Sequence, residues 1–202
     1  MRISVFTNNN PFELCANSYV LVDSSNRCIV IDPSVPDIIR YIDDNKLKLV
    51  AILLTHGHFD HIRVVDKLID KYQVPFFINK QDVELLTRPE LNCSDSFCRN
   101  DIVVKHTPEY IKEGDILKLF EYPIKVIETP FHTMGSVCFY LEEENVLFSG
   151  DTLFCGSVGR MDLPTSNPSL FSKSLAKLMT LDDRVFVYPG HGEKTTIANE
   201  RN

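Results

Sequence analysis

Short apolar runs alternate with polar, turn-forming segments along the chain. Ile3 to Phe6 predicts a first strand, and Asn8-Asn9-Asn10-Pro11 a turn. Ser18 to Asp23 and Arg27 to Asp32 flank Ser24-Ser25-Asn26 and predict a hairpin that Asp32-Pro33 ends. Pro36 opens a helix with Ile38, Ile39 and Ile42 on one side and Asp43-Asp44 facing out. Leu49 to Leu54 is an unbroken apolar run of strand length, which reads as a buried strand. From Ile62, Val65, Leu68, Ile69 and Tyr72 recur at helical spacing, so a helix is expected over 62–72. A strand over Pro75 to Ile78 follows, and Asn79 can cap a helix whose first turn holds Asp82.

Residues 88 to 114 carry the weakest pattern, broken by Arg88-Pro89 and Thr107-Pro108, and predict a long surface excursion with His106 exposed on it. Strands resume at Asp115 to Phe120, Ile124 to Glu128, Ser136 to Leu141 and Asn145 to Ser149, the last two joined by Glu142-Glu143-Glu144 as a hairpin. Asn167-Pro168 starts a helix with cap and first-turn proline in order, and Leu170, Phe171, Leu175 and Leu178 form its buried stripe. Arg184 to Tyr188 is a final strand. Each half of the chain is strand-rich and then helical, with no Gly, Ser or Pro linker between. The pattern predicts two packed sheets with helices on their outer faces.

Length and composition narrow the function classes. At 202 residues with 44% apolar content, the chain can bury a substantial core as one domain. The formal charge of −7 offers no basic face to a phosphate backbone, so nucleic acid is not an expected partner. No stretch approaches the ~20 apolar residues of a membrane-spanning helix, and the N-terminus lacks the apolar core of a secretory signal. Six cysteines, at 15, 28, 93, 98, 138 and 155, form no CxxC pair and read as reduced, mostly packed thiols. A cytoplasmic protein with no membrane partner is expected.

The densest chemistry is Thr55-His56-Gly57-His58-Phe59-Asp60-His61, placed where the buried strand hands over to a helix. Three imidazoles and a carboxylate within six residues suit zinc or iron without any thiolate. His132, Asp151 and His191 each stand just past the end of a further apolar strand, two of them beside a glycine that lets backbone pack close. Singly, each has a plain reading as a hydrogen-bonded strand-end or turn residue. With the first cluster they make seven ligands, the number that two ions sharing one carboxylate require.

The set His56-x-His58-x-Asp60-His61, then His132, Asp151 and His191, resembles the metallo-β-lactamase superfamily over residues 15 to 200. That resemblance implies a four-layer αββα sandwich. The stretches Thr129-Pro130-Phe131-His132-Thr133-Met134-Gly135-Ser136, Phe148-Ser149-Gly150-Asp151-Thr152-Leu153-Phe154, Gly156 to Pro164 and Pro189-Gly190-His191-Gly192 are most similar to short, single-domain glyoxalase II-like hydrolases. Carried over by residue, the resemblance makes His56, His58 and His132 ligands of one metal, Asp60, His61 and His191 ligands of a second, and Asp151 the bridge. Two departures stand out: Phe131 where such enzymes have glycine, and Arg63 where they have small residues.

The resemblance implies a hydrolase with two divalent ions, zinc foremost, with iron or manganese as alternatives. A hydroxide shared by ions ~3.5–4 Å apart would attack the carbonyl of a small-molecule acyl-thiol substrate. Asp60 and Asp151 would be the catalytic carboxylates, Asp60 orienting the hydroxide. Arg160 and Arg63 are the substrate-contact candidates. Against these stand a salt bridge of Arg160 to Asp162 and an outward-pointing Arg63. The chain stops about ten residues after His191, so residues 1–202 are expected to be one domain lacking the C-terminal helical domain that grips glutathione in larger glyoxalase II enzymes. The competing readings are a mononuclear iron persulfide dioxygenase, whose relatives share an Arg-x-Asp stretch like Arg160-Met161-Asp162, and a hydrolase of another ester, lactone or phosphodiester.

Overall fold

In the computed structural model, which describes residues 1–8 and 13–201, the strands assemble into two large sheets. The first holds β1 (Arg2–Phe6), β2 (Ser18–Val22), β3 (Arg27–Ile31), β4 (Lys48–Leu53), β5 (Phe76–Asn79) and β6 (Glu109–Ile111), side by side in that order. The remaining strands are β7 (Ile116–Leu117), β8 (Ile124–Glu128), β9 (Val137–Leu141), β10 (Val146–Gly150), β11 (Leu153–Phe154), β12 (Ser157–Val158), β13 (Phe186–Pro189) and β14 (Thr195–Thr196). The second sheet runs β14-β13-β10-β9-β8-β7, while β11 and β12 form a separate ribbon. Both sheets are mixed: β3, β4, β5 and β6 run parallel, as do β10 and β13, and the hairpins are antiparallel.

The helices are α1 (Asp37–Asp44), α2 (Phe59–Ile62), α3 (Val65–Tyr72), α4 (Pro89–Asn92), α5 (Ser94–Phe97), α6 (Phe171–Leu178) and α7 (Ile197–Glu200). Side-chain alternation explains the layering. Val20, Val30, Ile52 and Ile78 face Ile38, Ile42 and Leu68 of the first helical layer. Their neighbours Leu21, Ile29, Ile31 and Leu53 point the other way and meet Ile124, Val126, Phe139 and Phe148 between the sheets. Cys138, Tyr140, Leu147 and Val187 of the second sheet cover Leu178 and Ile197 of the second helical layer. Strands buried on both faces need continuous apolar runs, which is why β4 and β9 read that way. This is the αββα sandwich expected from the sequence.

The boundaries differ where polar groups replace apolar periodicity. The helix expected over 62–72 begins earlier, at Phe59, and breaks at Val64, whose N–H donates to Pro33 O at 3.0 Å instead of to a helical carbonyl. Asp60 and His61 therefore sit on the first helical turn itself. Asn79 does act as a cap, accepting from Gln81 N at 2.9 Å, but the element it caps is a 3₁₀ helix, Lys80–Leu86. The excursion over 88–114 is less superficial than expected: it carries α4, α5 and β6, and Asn92, Cys93, Ser94, Val104 and Ile111 are buried. The Asn92 amide holds it inward, donating to Leu85 O (2.7 Å) and Ile102 O (2.8 Å) and accepting from Ser94 N (2.9 Å). The strand expected over 115–120 shortens to Ile116–Leu117, and β14 and α7 had no signal of their own in the sequence. The turn at Asn8-Asn9-Asn10-Pro11 falls, from Asn9 on, outside the described residues.

Cys28, Cys93 and Cys138 are buried, Cys15 and Cys98 half-buried and Cys155 exposed, all as free thiols. Among the described residues no helix is long and apolar enough to cross a membrane.

The inter-sheet layer is an apolar core buried from solvent. Phe139→Ala, at a fully buried position there, is expected to lower unfolding free energy by about 3–5 kcal/mol, against less than ~0.5 kcal/mol for Ile116→Ala at a half-exposed edge. Urea denaturation of the two variants checks this.

Candidate metal centre

The residues singled out in the sequence meet at one end of the sandwich. His56, His58 and His132 form one group of potential ligands, and Asp60, His61 and His191 form another. A third, His56, His61 and Asp151, lies across both, and within each group the ligand atoms are within 4.8 Å of one another. This arrangement is compatible with a dinuclear metal centre. His58 Nδ1 and His132 Nε2 lie 2.9 Å apart. Asp151 reaches members of both outer groups: its Oδ1 is 3.4 Å from His61 Nε2, and its Oδ2 is 3.4 Å from His132 Nε2 and 3.5 Å from His191 Nε2. Asp60 Oδ2 is 3.1 Å from His191 Nε2.

Backbone geometry makes this convergence possible. β3 and β4 are parallel neighbours, so Asp32 at the end of one stands beside Thr55 at the end of the other. β10 and β13 are also parallel, with Gly150 opposite Pro189, so Asp151 and His191 leave adjacent strand ends together. A methyl group on Gly190 would lie 2.1 Å from Asp151 Oδ1, so only glycine lets the two segments approach this closely. Gly150 has φ +51°, and a Cβ there would lie 2.4 Å from Thr55 Oγ1.

Several orienting residues were not predicted. Asp32 is buried, accepts from Thr55 N (2.8 Å) and Thr55 Oγ1 (2.7 Å), and sits 2.9 Å from His61 Nδ1. His61 is thereby held with Nε2 turned inward. The backbone oxygen of Arg160 does the same for His132, 2.8 Å from its Nδ1, and Thr55 Oγ1 lies 3.1 Å from His56 Nδ1. Such partners fix the ring orientation and the tautomer that a metal needs. Asp82 joins the two ligand-bearing loops: its fully buried carboxylate accepts from Gly57 N (3.0 Å), Gly135 N (2.7 Å) and Thr133 Oγ1 (2.7 Å). Asn17 secures the last loop, its N–H donating to Gly190 O (2.6 Å) and its amide to Pro189 O (3.0 Å) and Gly192 O (2.9 Å). Only Asp32 had a readable signal, since it too is a lone carboxylate just past an apolar strand.

The electrostatics suit cation binding. Burial pushes the His56 pKa well below the ordinary histidine value, reinforced by His61 and His58, and burial holds His58 down to about 3. Both rings are therefore neutral and present lone pairs. Burial alone would raise the Asp151 carboxyl, but His191 and His61 outweigh it and hold Asp151 well below the carboxylate range. Burial likewise opposes ionisation of Asp60, and His61 and His191 overcome it. Conversely, Asp32, Asp151 and Asp60 overcome burial at His61 and raise its pKa. His56 Nε2, His58 Nε2, His61 Nε2 and Asp151 Oδ1 are buried without a hydrogen-bond partner. Unpaired buried polar atoms cost about 1–3 kcal/mol each, and divalent cations accepting these lone pairs would remove that penalty. The donor set, nitrogen and carboxylate oxygen with no thiolate, fits zinc or iron.

A cleft of about 220 Å³ opens over the cluster, walled by Leu14, Phe97, Phe154, Val158 and Leu163 and floored by His58, Asp60, His132, Asp151 and His191. Arg160 is on its rim, but its guanidinium is exposed and paired with Asp162 through two 2.9 Å contacts. Arg63 does not line this cleft; its guanidinium donates to Leu14 O at 3.1 Å beside a neighbouring groove. Phe131 is fully buried against Phe171 (ring centroids 5.3 Å apart) and is not among the cleft-lining residues.

The chain is similar to several known proteins. The chain is 33% identical to a probable metallo-hydrolase, YqgX, of Bacillus subtilis, over 93% of this chain and 90% of that protein. It is 31% identical to the hydroxyacylglutathione hydrolase GloC of Haemophilus influenzae, over 92% of this chain and 89% of that protein. Among solved structures, the BLEG-1 B3 metallo-beta-lactamase superposes with TM-score 0.91 at 32% identity, covering 98% of this chain and 96% of that one. TTHA1623, solved in a di-iron-bound form, superposes with TM-score 0.81 at 32% identity, covering 96% of each chain. A family model for the metallo-beta-lactamase superfamily matches residues 13–191, and by that match the chain belongs to this superfamily.

Proposed function

We propose that the protein is a dinuclear metal-dependent hydrolase of a small-molecule thioester, acting as one domain over residues 1–202. The observation that carries this reading is the set of buried, unpartnered nitrogen and oxygen atoms converging on the floor of an apolar-walled cleft. His56, His58 and His132 would hold one ion, Asp60, His61 and His191 the other, and Asp151 would bridge. Two divalent ions held there would supply Lewis acidity toward a carbonyl oxygen and ionise water near neutral pH. Zinc is the first choice. The di-iron form of TTHA1623 keeps iron in view.

The chain's own residues do the rest. Leu14, Phe97 and Phe154 exclude bulk water from the acyl group and place its carbonyl over the floor. Asp60, the cleft-lining carboxylate beside His191, orients the attacking water and takes its proton. The water oxygen bonds to the acyl carbon, the C–S bond breaks, and the sulfur leaves as a thiolate. A thiolate needs no general acid, which suits a floor built of ligand residues only. Arg160 on the rim is the contact for a polar acyl substituent, once released from Asp162. Likeness to GloC favours a thioester over an oxygen ester or a phosphodiester.

Three measurements test this reading. A chelator-treated preparation should lose thioester turnover and regain it with zinc, iron or manganese; rates confined to phosphodiesters would overturn the substrate class. Asp151→Ala should carry fewer than two ions per chain by elemental analysis and lose nearly all turnover, with unchanged circular dichroism. Asp32→Asn, which touches no proposed metal position, should weaken metal binding or activity about 10–100-fold by loosening His61, as read from competition with a metallochromic dye.

A further inference from the structure

A second cavity, of about 330 Å³, adjoins the cleft over the metal-ligand cluster. Leu14 and Phe97 line both spaces, so the two are continuous across one apolar ridge. Phe97 is 55% exposed on that ridge, and its ring stacks on Phe59 of α2 at 6.0 Å with an interplanar angle of 12°. The cleft is apolar on its walls, but the adjoining groove is lined by Arg63 and Arg99 beside Glu13 and Cys98.

Two features make these arginines more than ordinary surface charge. The Arg63 guanidinium is held in place: it lies 5.1 Å from the Phe59 ring centroid, donates to Leu14 O (3.1 Å) and approaches Cys98 Sγ (3.7 Å). Its Nε is buried with no hydrogen-bond partner, a costly arrangement for a group that is always charged. Arg99 is exposed and makes no ion pair among the described residues, although the chain carries seven net negative charges. Glu13, the acid in the groove, engages Asn8 Nδ2 at 2.8 Å rather than either arginine. Arg88, Arg160, Arg184 and Arg201, by contrast, are all paired with carboxylates.

We infer that this groove is the binding site for the thiol half of the substrate, and that this half carries an anionic tail. The inference rests on the thioester reading above. With the acyl carbon over the metal floor, the sulfur leaves across the Leu14–Phe97 ridge, and the carrier runs into the groove. Its carboxylate or phosphate is met by Arg63 and Arg99. Arg63 and Arg99 are thus specificity-determining residues: they select the carrier, and the cleft selects the acyl group.

The test uses three thioesters of one acyl group on the metal-loaded protein: a glutathione thioester (carboxylates), a coenzyme A thioester (phosphates) and an uncharged N-acetylcysteamine thioester. The wild type should prefer one anionic carrier, and that preference identifies carboxylate or phosphate as the tail. In Arg99→Met, the ratio of kcat/KM for the preferred anionic carrier to that for the neutral one should fall about tenfold, chiefly through KM. In Arg63→Met with Arg99→Met it should fall further, and Arg63→Lys should retain part of it. A wild type that favours the neutral carrier, or variants that lose rate equally on all three, would overturn the assignment. Calorimetric binding of S-methylglutathione and of coenzyme A separates this from failure of the thioester reading. Binding that weakens in Arg99→Met without any turnover keeps the groove and sinks only the reaction, whereas no binding of either by the wild type sinks the groove.

Discussion

Everything at the functional end depends on holding imidazoles and carboxylates together in a buried space with their lone pairs aimed inward. Packing alone does not favour this. His56 and His61 bring their ring centroids to 4.0 Å, and His58 and His132 to 4.7 Å. Protonated rings at such separations would repel, and neutral rings leave nitrogen atoms without partners. Cations, or restraint from outside, offset these costs. The structure supplies the restraint. Asp32, Thr55 and the Arg160 carbonyl take the outer nitrogens, so the inner ones have no choice of direction.

That restraint is passed through the fold by strand ends. Parallel pairing of β3 with β4, and of β10 with β13, brings chain segments far apart in sequence to the same edge. Thr55 O accepts from Val137 N at 2.9 Å, which ties the ligand-bearing end of the first sheet to β9 of the second. Asp82 then bolts the 56–61 loop to the 132–135 loop through three donors. Burial pushes the pKa of this carboxyl up against those hydrogen bonds, so the clamp is a desolvated group held by its partners rather than a surface charge. The sandwich core sets the distances between these loops, and the buried carboxylates set their angles.

The cleft over this cluster is walled by segments outside the large sheets. The cleft walls come from Leu14, α5, the β11–β12 ribbon and the loop through Leu163. In this chain the walls are apolar, while the adjoining groove carries Arg63 and Arg99 beside Glu13, so the two spaces differ in chemistry.

The sequence by itself determined the layered architecture, because strands covered on both faces need continuous apolar runs, and its resemblance to a known motif picked out the His and Asp residues that meet at one end of the sandwich. Arg160 and Arg63 could be named from the sequence as cations near the site, but not placed: one is tied to Asp162 on the rim and the other lies beyond the ridge. Asp32 looked like a turn residue because its role depends on β3 lying beside β4 in parallel, and Asp82 looked like a first-turn helix acid because its partners are 25, 51 and 53 residues away. The buried stretch around Asn92 was invisible for the same reason, since side-chain amides replaced the apolar periodicity that marks a buried element. Local pattern records which face a residue shows to its own element. Which distant backbone groups a buried carboxylate or amide will satisfy is settled only when the sheets are paired and packed, and that is where tertiary structure decided this site.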